Sequence, residues 1–210
     1  MSGPLRAHAV MGLLAATALV LGCSQTAPEN GKDATEGAAR QPSGEEIRRG
    51  GTFRVDGLEF RVPDTWVVEQ PRSTSFVIRL GQFRLPGSEG DAEMTVIRAG
   101  GSTEDNLNRW YAQFGLTRGA ASPEEAEERE LEVAGHRAVF VDIRGTYAPG
   151  PMMLRPGQKA RQPGYRMLGA IVEMPGESLF FKAVGPESTL ERHKEAFLEF
   201  LRSARKVEGE

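Results

Sequence analysis

The stretch Tyr165-Arg-Met-Leu-Gly-Ala-Ile-Val-Glu-Met174, Pro175-Gly176-Glu177, Ser178-Leu-Phe-Phe-Lys-Ala-Val-Gly-Pro186 holds two apolar runs around a proline-glycine turn. Proline presets the first turn angle, and glycine accepts the positive φ that follows. In the first run Tyr165, Met167 and Ile171 share one face, while Leu168, Ala170, Val172 and Met174 share the other. Apolar side chains on both faces mark a strand covered on both sides. The second run repeats this, with Leu179 and Phe181 set against Phe180 and Val184. The pattern predicts a central hairpin on which the other apolar elements pack.

Working outward, Leu58, Phe60 and Val62 alternate with Glu59 and Arg61 as a half-buried strand, which Pro63-Asp64-Thr65 is expected to end before Trp66-Val67-Val68 resumes. Phe76, Ile78 and Leu80 alternate next; Phe83 and Leu85 fall on the opposite parity, which places a bulge at Gly81. Ala92, Met94 and Val96 form another alternating run, and the short connections predict an antiparallel meander. Ser102 or Thr103 can then cap a helix whose stripe is Leu107, Trp110, Tyr111 and Phe114. Glu124 to Glu132 carries six glutamates against Arg129 and reads as a solvated face. Leu131 and Val133 open a second hairpin, turned at Gly135-His136 and returned by Val139, Phe140, Val141 and Ile143. At the far end Ser188 and Glu191 have the spacing of a capping box. Leu190, Phe197, Phe200, Leu201 and Ala204 line the helix that follows, and Arg202, Arg205 and Lys206 suit its carboxyl end. This order is α+β: an antiparallel sheet of about six to eight strands with two main helices packed on it.

The 210 residues, 39% of them apolar, suffice for one core of ordinary size. The net charge of −3 argues against nucleic acid as a partner, which would call for a basic surface. A single cysteine excludes an internal disulfide.

Met1 to His8 contains Arg6, and Ala9 to Leu21 is uncharged, too short to cross a bilayer but of the length of a signal-peptide core. It ends Leu19-Val20-Leu21-Gly22-Cys23-Ser24, which resembles the bacterial lipoprotein signal. The resemblance implies residues 1–22 as a leader, a diacylglyceryl thioether on Cys23, cleavage before it and acylation of the new amino terminus. Two or more chains hold a protein firmly where one holds it marginally, at about 0.8 kcal/mol per buried CH₂. The rival is a secreted protein cut after Ala16-Thr17-Ala18. Ser24 in place of an aspartate implies, by the enteric sorting rule, the outer membrane, facing the periplasm. Ser24 to Gly51 has no aromatic residue and only Ile47 as a large apolar one, so residues 23–51 read as a lipidated tether spanning roughly 30 Å. One domain then occupies 52–208.

Within that domain Phe60-x-x-Pro63-x-x-Trp66, the helix ending Trp110-Tyr111-Ala112-Gln113-Phe114, the hairpin carrying Tyr165 and the terminal Phe197-x-x-Phe200-Leu201 resemble, in order and spacing, the PsbP-like domains. The similarity runs from Thr52 to Val207. Gln82-Phe83-Arg84-Leu85-Pro86 and Gly164-Tyr165-Arg166-Met167-Leu168 are also similar to uncharacterised bacterial lipoproteins. The resemblance implies an α/β/α sandwich; characterised members of the wider fold act by binding proteins, and none lends a catalytic set that can be placed on these residues.

Catalytic sets are hard to assemble. Outside the leader only His136, in a turn, and His193, expected on the solvent side of the last helix, could serve a triad, and no Gly-x-Ser-x-Gly elbow occurs. The histidines lack zinc-ligand spacing. Met152 and Met153 are soft enough for copper, but Met167 and Met174 are better read as core, so no metal and no cofactor is expected. Gly100-Gly101-Ser102 reads as a turn and cap rather than an anion site. A carboxylate-dependent hydrolase of envelope polymers would need a cleft with two facing acids.

The stretch Ala148 to Gly164 stands apart. Four prolines and three glycines exclude a regular element, and a loop of this length inside a compact domain is either functional or disordered. Between Asp142 and Glu173 there is no acid, while Arg144, Arg155, Lys159, Arg161 and Arg166 are all present. Met152, Met153, Leu154, Arg155, Lys159 and Arg161 are therefore the expected partner surface of a membrane-anchored, non-enzymatic protein-binding module. A passive structural lipoprotein is the remaining alternative.

Overall fold

The computed structural model describes residues 48–74, 77–150 and 160–207, all within one compact unit, Gly44–Glu210. Its strands are β1 (Arg49–Val55), β2 (Leu58–Glu69), β3 (Arg79–Leu85), β4 (Ala92–Ala99), β5 (Ala126–Val133), β6 (His136–Tyr147), β7 (Gln162–Val172), β8 (Ser178–Pro186) and β9 (Arg205–Lys206); the helices are α1 (Thr103–Ala112) and α2 (Glu187–Arg202). They form one nine-stranded antiparallel sheet in the order β1-β2-β3-β4-β8-β7-β6-β5, with the two-residue β9 on β2. The fold is α+β, and the expected α/β/α layering is present.

The β7–β8 hairpin is the middle of this sheet. It joins the β1–β4 meander to the β5–β6 hairpin, and its turn places Gly176 at φ +90. Its two faces divide as the alternation predicts. Leu168, Ala170, Val172, Leu179 and Phe181 belong to the core under α2, where Leu190, Phe197, Phe200 and Leu201 descend from the helix. Met167, Ile171 and Phe180 belong to the opposite core, under Leu107, Trp110 and Tyr111 of α1 and Phe114 just past its end. Ser102 caps α1, its Oγ accepting from the Asp105 N–H.

Trp110 reaches the sheet because Gly169 leaves a flat spot. A Cβ there would lie 2.4 Å from Trp110 Cζ3 and 3.0 Å from Val141 Cγ2. Gly169→Ala should therefore cost about 1–3 kcal/mol through overpacking. Urea titration read by tryptophan fluorescence checks it; an unchanged midpoint would mean Trp110 is not seated on this glycine.

Several local expectations are corrected. Pro63-Asp64-Thr65 does not end a strand, since β2 runs through it. β1 pairs Gly51 with Val62 and Arg49 with Val67, so residues 63–66 arch opposite Gly50 and the missing proline N–H falls in an irregularity of the ladder. The bulge at Gly81 is present, as a register shift between Arg79 and Gly81, but β3 starts only at Arg79 and Ile78 is 72% exposed. The glutamate run is strand from Ala126 onward. It forms the edge of the sheet, where charges discourage pairing with a second chain. The turn before β6 uses Ala134 and Gly135, both at positive φ, and His136 already belongs to the strand. α2 has no capping box: it begins at Glu187, Ser188 donates to Glu89, and Glu191 faces Arg166. Arg205 and Lys206 pair as β9 with Glu59 and Leu58 instead of ending the helix. Arg49–Gly51, read as tether, is the start of β1.

Candidate functional site

The proline-rich connection leaves the sheet where β6 and β7 stop pairing, at Tyr147 opposite Gln162. Strand β7 begins at Gln162, so Pro163 and Gly164 are strand rather than loop. Met152, Met153, Leu154, Arg155 and Lys159 lie outside the described residues. Arg161 is described and exposed.

The base of the connection is aromatic. The rings of Tyr147 and Tyr165 stack, 6.3 Å apart and 5° from parallel. Phe114, just past α1, packs on Tyr147 at 5.4 Å, and the Ala148 N–H donates to the Gln113 carbonyl at 2.7 Å. Lys182 of β8 arrives at the same place. It shares the parity of Phe180 and Val184, which directs it to the α1 face. Its Nζ donates to Gln113 Oε1 at 2.5 Å and lies 5.9 Å from the Trp110 ring and 5.5 Å from the Tyr147 ring. Burial pushes this ammonium down to about 7.

Two of the expected basic residues are not part of any basic surface. Arg166 is fully buried, because it shares the parity of Leu168 and Ala170 under α2. Its Nε and Nη2 grip the two oxygens of the equally buried Asp142, both at 2.6 Å, and Nη1 meets Glu191 of α2. Arg144 also turns to Asp142, at 3.2 Å, and Lys194 of α2 reaches it at 2.8 Å while holding Glu127 at 2.7 Å. Burial alone would raise the Asp142 carboxyl, but the hydrogen bonds from Arg166 and Lys194 outweigh it and hold the group below the ordinary range. The cluster ties β6, β7 and α2 together. It leaves Arg155, Lys159 and Arg161 as the cations of the connection itself.

His193 is likewise not on the solvent side. It is 7% exposed, three residues after Leu190 and four before Phe197, on the stripe that faces the sheet. Trp66 Nε1 donates to its Nδ1 at 3.2 Å, so Nε2 carries the proton and donates to the Pro86 carbonyl at 3.0 Å. Both ring nitrogens are thus engaged in joining α2 to β2 and to the end of β3. Among the described residues no group of three or more histidines, cysteines, aspartates or glutamates could hold a metal.

Asp142, Glu191, Asp91, Glu59 and Glu125, the described carboxylates with a displaced pKa, are all held below the ordinary range by neighbouring hydrogen-bond donors. For Glu59, which lines a shallow depression with Arg61 and Ser203, the hydrogen bonds from Arg54 and Arg205 are the cause.

No protein-family model matches this chain, and no curated protein matches it. Among solved structures it is similar to cyanobacterial PsbP (CyanoP) from Synechocystis sp. PCC 6803, at 16% identity and a TM-score of 0.47 over 81% of this chain and 100% of that one. It is also similar to PA94 of Pseudomonas aeruginosa, a protein of unknown function, at 15% identity and a TM-score of 0.39 over 74% of this chain and 96% of that one. Likeness at this distance concerns the fold and carries no activity with it.

Proposed function

We propose that this chain is a lipid-anchored envelope protein whose folded unit is a non-enzymatic protein-binding module, with residues 148–161 as its partner surface. One observation carries the reading. β6 and β7 are neighbouring antiparallel strands, and such a pair closes in roughly two to five residues. This pair instead carries a long connection holding Met152-Met153-Leu154, Arg155, Lys159 and Arg161 and no acid, set on an aromatic base. Diverting Arg144 and Arg166 into the Asp142 cluster makes the connection's own cations the ones that meet a partner. The partner is then a protein with an acidic face and an apolar recess. Cys23, after Leu21-Gly22, supplies the lipid attachment, and the outer membrane facing the periplasm is the proposed location.

A photo-crosslinking residue in place of Met153, used in living cells and read by mass spectrometry, tests this. One discrete protein adduct is expected, reduced at least about tenfold when Arg155, Lys159 and Arg161 are changed to serine, because three charge contacts are lost. In the same cells Cys23→Ser should move the protein to the soluble fraction. Equal adduct yields would reject the loop as the surface, adducts to lipid alone would reject a protein partner, and a Cys23→Ser chain still on the membrane would reject the anchor.

A further inference from the structure

We propose that the tip of the β2–β3 connection, Val77 and Ile78 with Arg72 in the same connection and Arg48 and Arg49 at its foot, sits in the headgroup layer of an anionic phospholipid bilayer, an inference that rests on the anchored reading above. Val77 is 41% and Ile78 72% exposed, and they are the exposed large apolar side chains among the described residues. One such residue would need no explanation, but two in succession make a surface that calls for a partner. The tip holds them outward. The Thr74 N–H donates to the Val77 carbonyl at 2.9 Å, and the Val77 N–H donates to Thr74 Oγ1 at 3.1 Å. Ser73 Oγ accepts from the Arg79 N–H at 3.0 Å. The backbone on either side of the two apolar residues is thus tied by polar neighbours, and their side chains are left in solvent.

The chain that leads from Cys23 joins the fold at this place. The Arg48 carbonyl accepts from the Val68 N–H at 2.8 Å, and β2 ends at Glu69, where the connection begins. The 24 residues between Cys23 and Arg48, read above as a tether, span roughly 30 Å. A lipidated Cys23 therefore offers the bilayer to this tip at an effective concentration on the order of millimolar, at which a weak contact is filled. The charge suits an anionic surface. Residues 70–78 contain no acid, Arg48 and Arg49 are exposed, and the Arg72 side chain is 75% exposed. Glu69 lies 3.9 Å from Arg72 but already accepts from Gln82 and Arg84, and Glu93 is engaged by Arg79. Asp64, which abuts Gly50, is exposed and offsets part of the charge. Arginines held close to an anionic leaflet are drawn to it. The orientation fits as well. Arg79, at the end of the connection, is in register with Ile97, Phe180 and Ile171 across the sheet, whereas the 148–161 connection leaves β7 at Gln162, about 30 Å along the strand from Ile171. A tip on the bilayer turns the proposed partner surface away from it.

A photo-crosslinking residue in place of Ile78, used on the full chain in living cells, tests this, and the same residue in place of the exposed Ala120, in the loop after α1, is the control. Mass spectrometry should find phospholipid adducts at position 78 at a yield at least about tenfold above that at position 120, the ratio expected from burying an isoleucine-sized side chain. Changing Arg48, Arg49 and Arg72 to serine should lower the yield at position 78 by about fivefold or more. Equal lipid yields at the two positions would overturn the proposal, as would adducts to a second copy of the chain or to another protein in place of phospholipid. An unchanged yield in the serine variant would overturn an anionic surface as the occupant. The mass of the Cys23 peptide in the same digest keeps the two readings apart. A diacylglyceryl group on Cys23 without lipid adducts at position 78 sinks the tip alone, whereas lipid adducts at position 78 on a chain whose Cys23 is bare support the tip and sink the anchor.

Discussion

Asp142→Asn should destabilise the folded chain by about 3–5 kcal/mol, the range for removing one partner of a buried ion pair. The physical reason is the abandoned charge. Arg166 is fully buried and has two of its donors on Asp142 at 2.6 Å; the substitution keeps the volume but leaves a guanidinium beneath α2 with Glu191 as its remaining anion. Lys194 and Arg144 lose the same carboxylate but retain Glu127 and Glu187. Replacing both buried partners, as Asp142→Leu with Arg166→Met, should recover most of the loss, because the desolvation of both charges disappears together with their attraction. A double-mutant cycle by urea denaturation measures the coupling. A coupling below about 1 kcal/mol would mean the pair behaves as though it were solvated.

The same pair gives a signed pH dependence. Asp142 has a folded-state pKa below its unfolded value, so near and below about pH 4 the unfolded chain binds more protons and stability rises with pH. The contribution of Asp142 is thus fully present above the unfolded pKa and is lost as pH falls through the folded one. The Asp142→Asn chain should show a shallower acid limb than wild type. Glu191, lowered chiefly by its hydrogen bond from Arg166, titrates in the same sense and leaves a residual slope.

The position of this cluster was written in the alternation of the strands, and chemistry hid it. Asp142 follows Phe140 by two residues and Arg166 precedes Leu168 by two, so each points into the core under α2. Counting apolar residues passes over a charge on the buried parity, and which acid answers which base depends on β6 lying beside β7, a pairing no local pattern states. The same blindness applies to Lys182 between Phe180 and Val184, and to His193 between Leu190 and Phe197. Where every residue on a face is apolar the reading was direct: the two faces of β7 and β8 and the Leu107-Trp110-Tyr111-Phe114 stripe need only periodicity. Pro63 misled for a different reason. A proline argues against a strand only where its N–H is required, and the arch opposite Gly50 removes that requirement.

Phe200→Ala should also cost about 3–5 kcal/mol, and here the loss is of packing rather than charge. Phe200 is 1% exposed and, together with Phe197, brings the rings of α2 onto the meander. It stacks on Phe60 at 4.9 Å, lies 5.3 Å from Trp66, and meets Phe83 and Phe181 edge-on at 6.1 and 5.9 Å. Each aromatic pair adds to the cavity term. The neighbours cannot collapse into the gap, because Phe60, Phe83 and Phe181 are fixed by three different strands and Trp66 is tied to His193. Phe200→Leu, which retains most of the volume, should cost less than about 1.5 kcal/mol. The comparison that isolates α2 is Phe114→Ala on the other face. Phe114 has Tyr147 as its ring partner and is slightly exposed, so its removal opens a site that water can fill. Urea titrations with unchanged m-values should rank Phe200→Ala well below Phe114→Ala in stability. Equal midpoints would mean that α2 rests on the sheet without being clamped to it, and that the β2–β3 half is held by strand pairing alone.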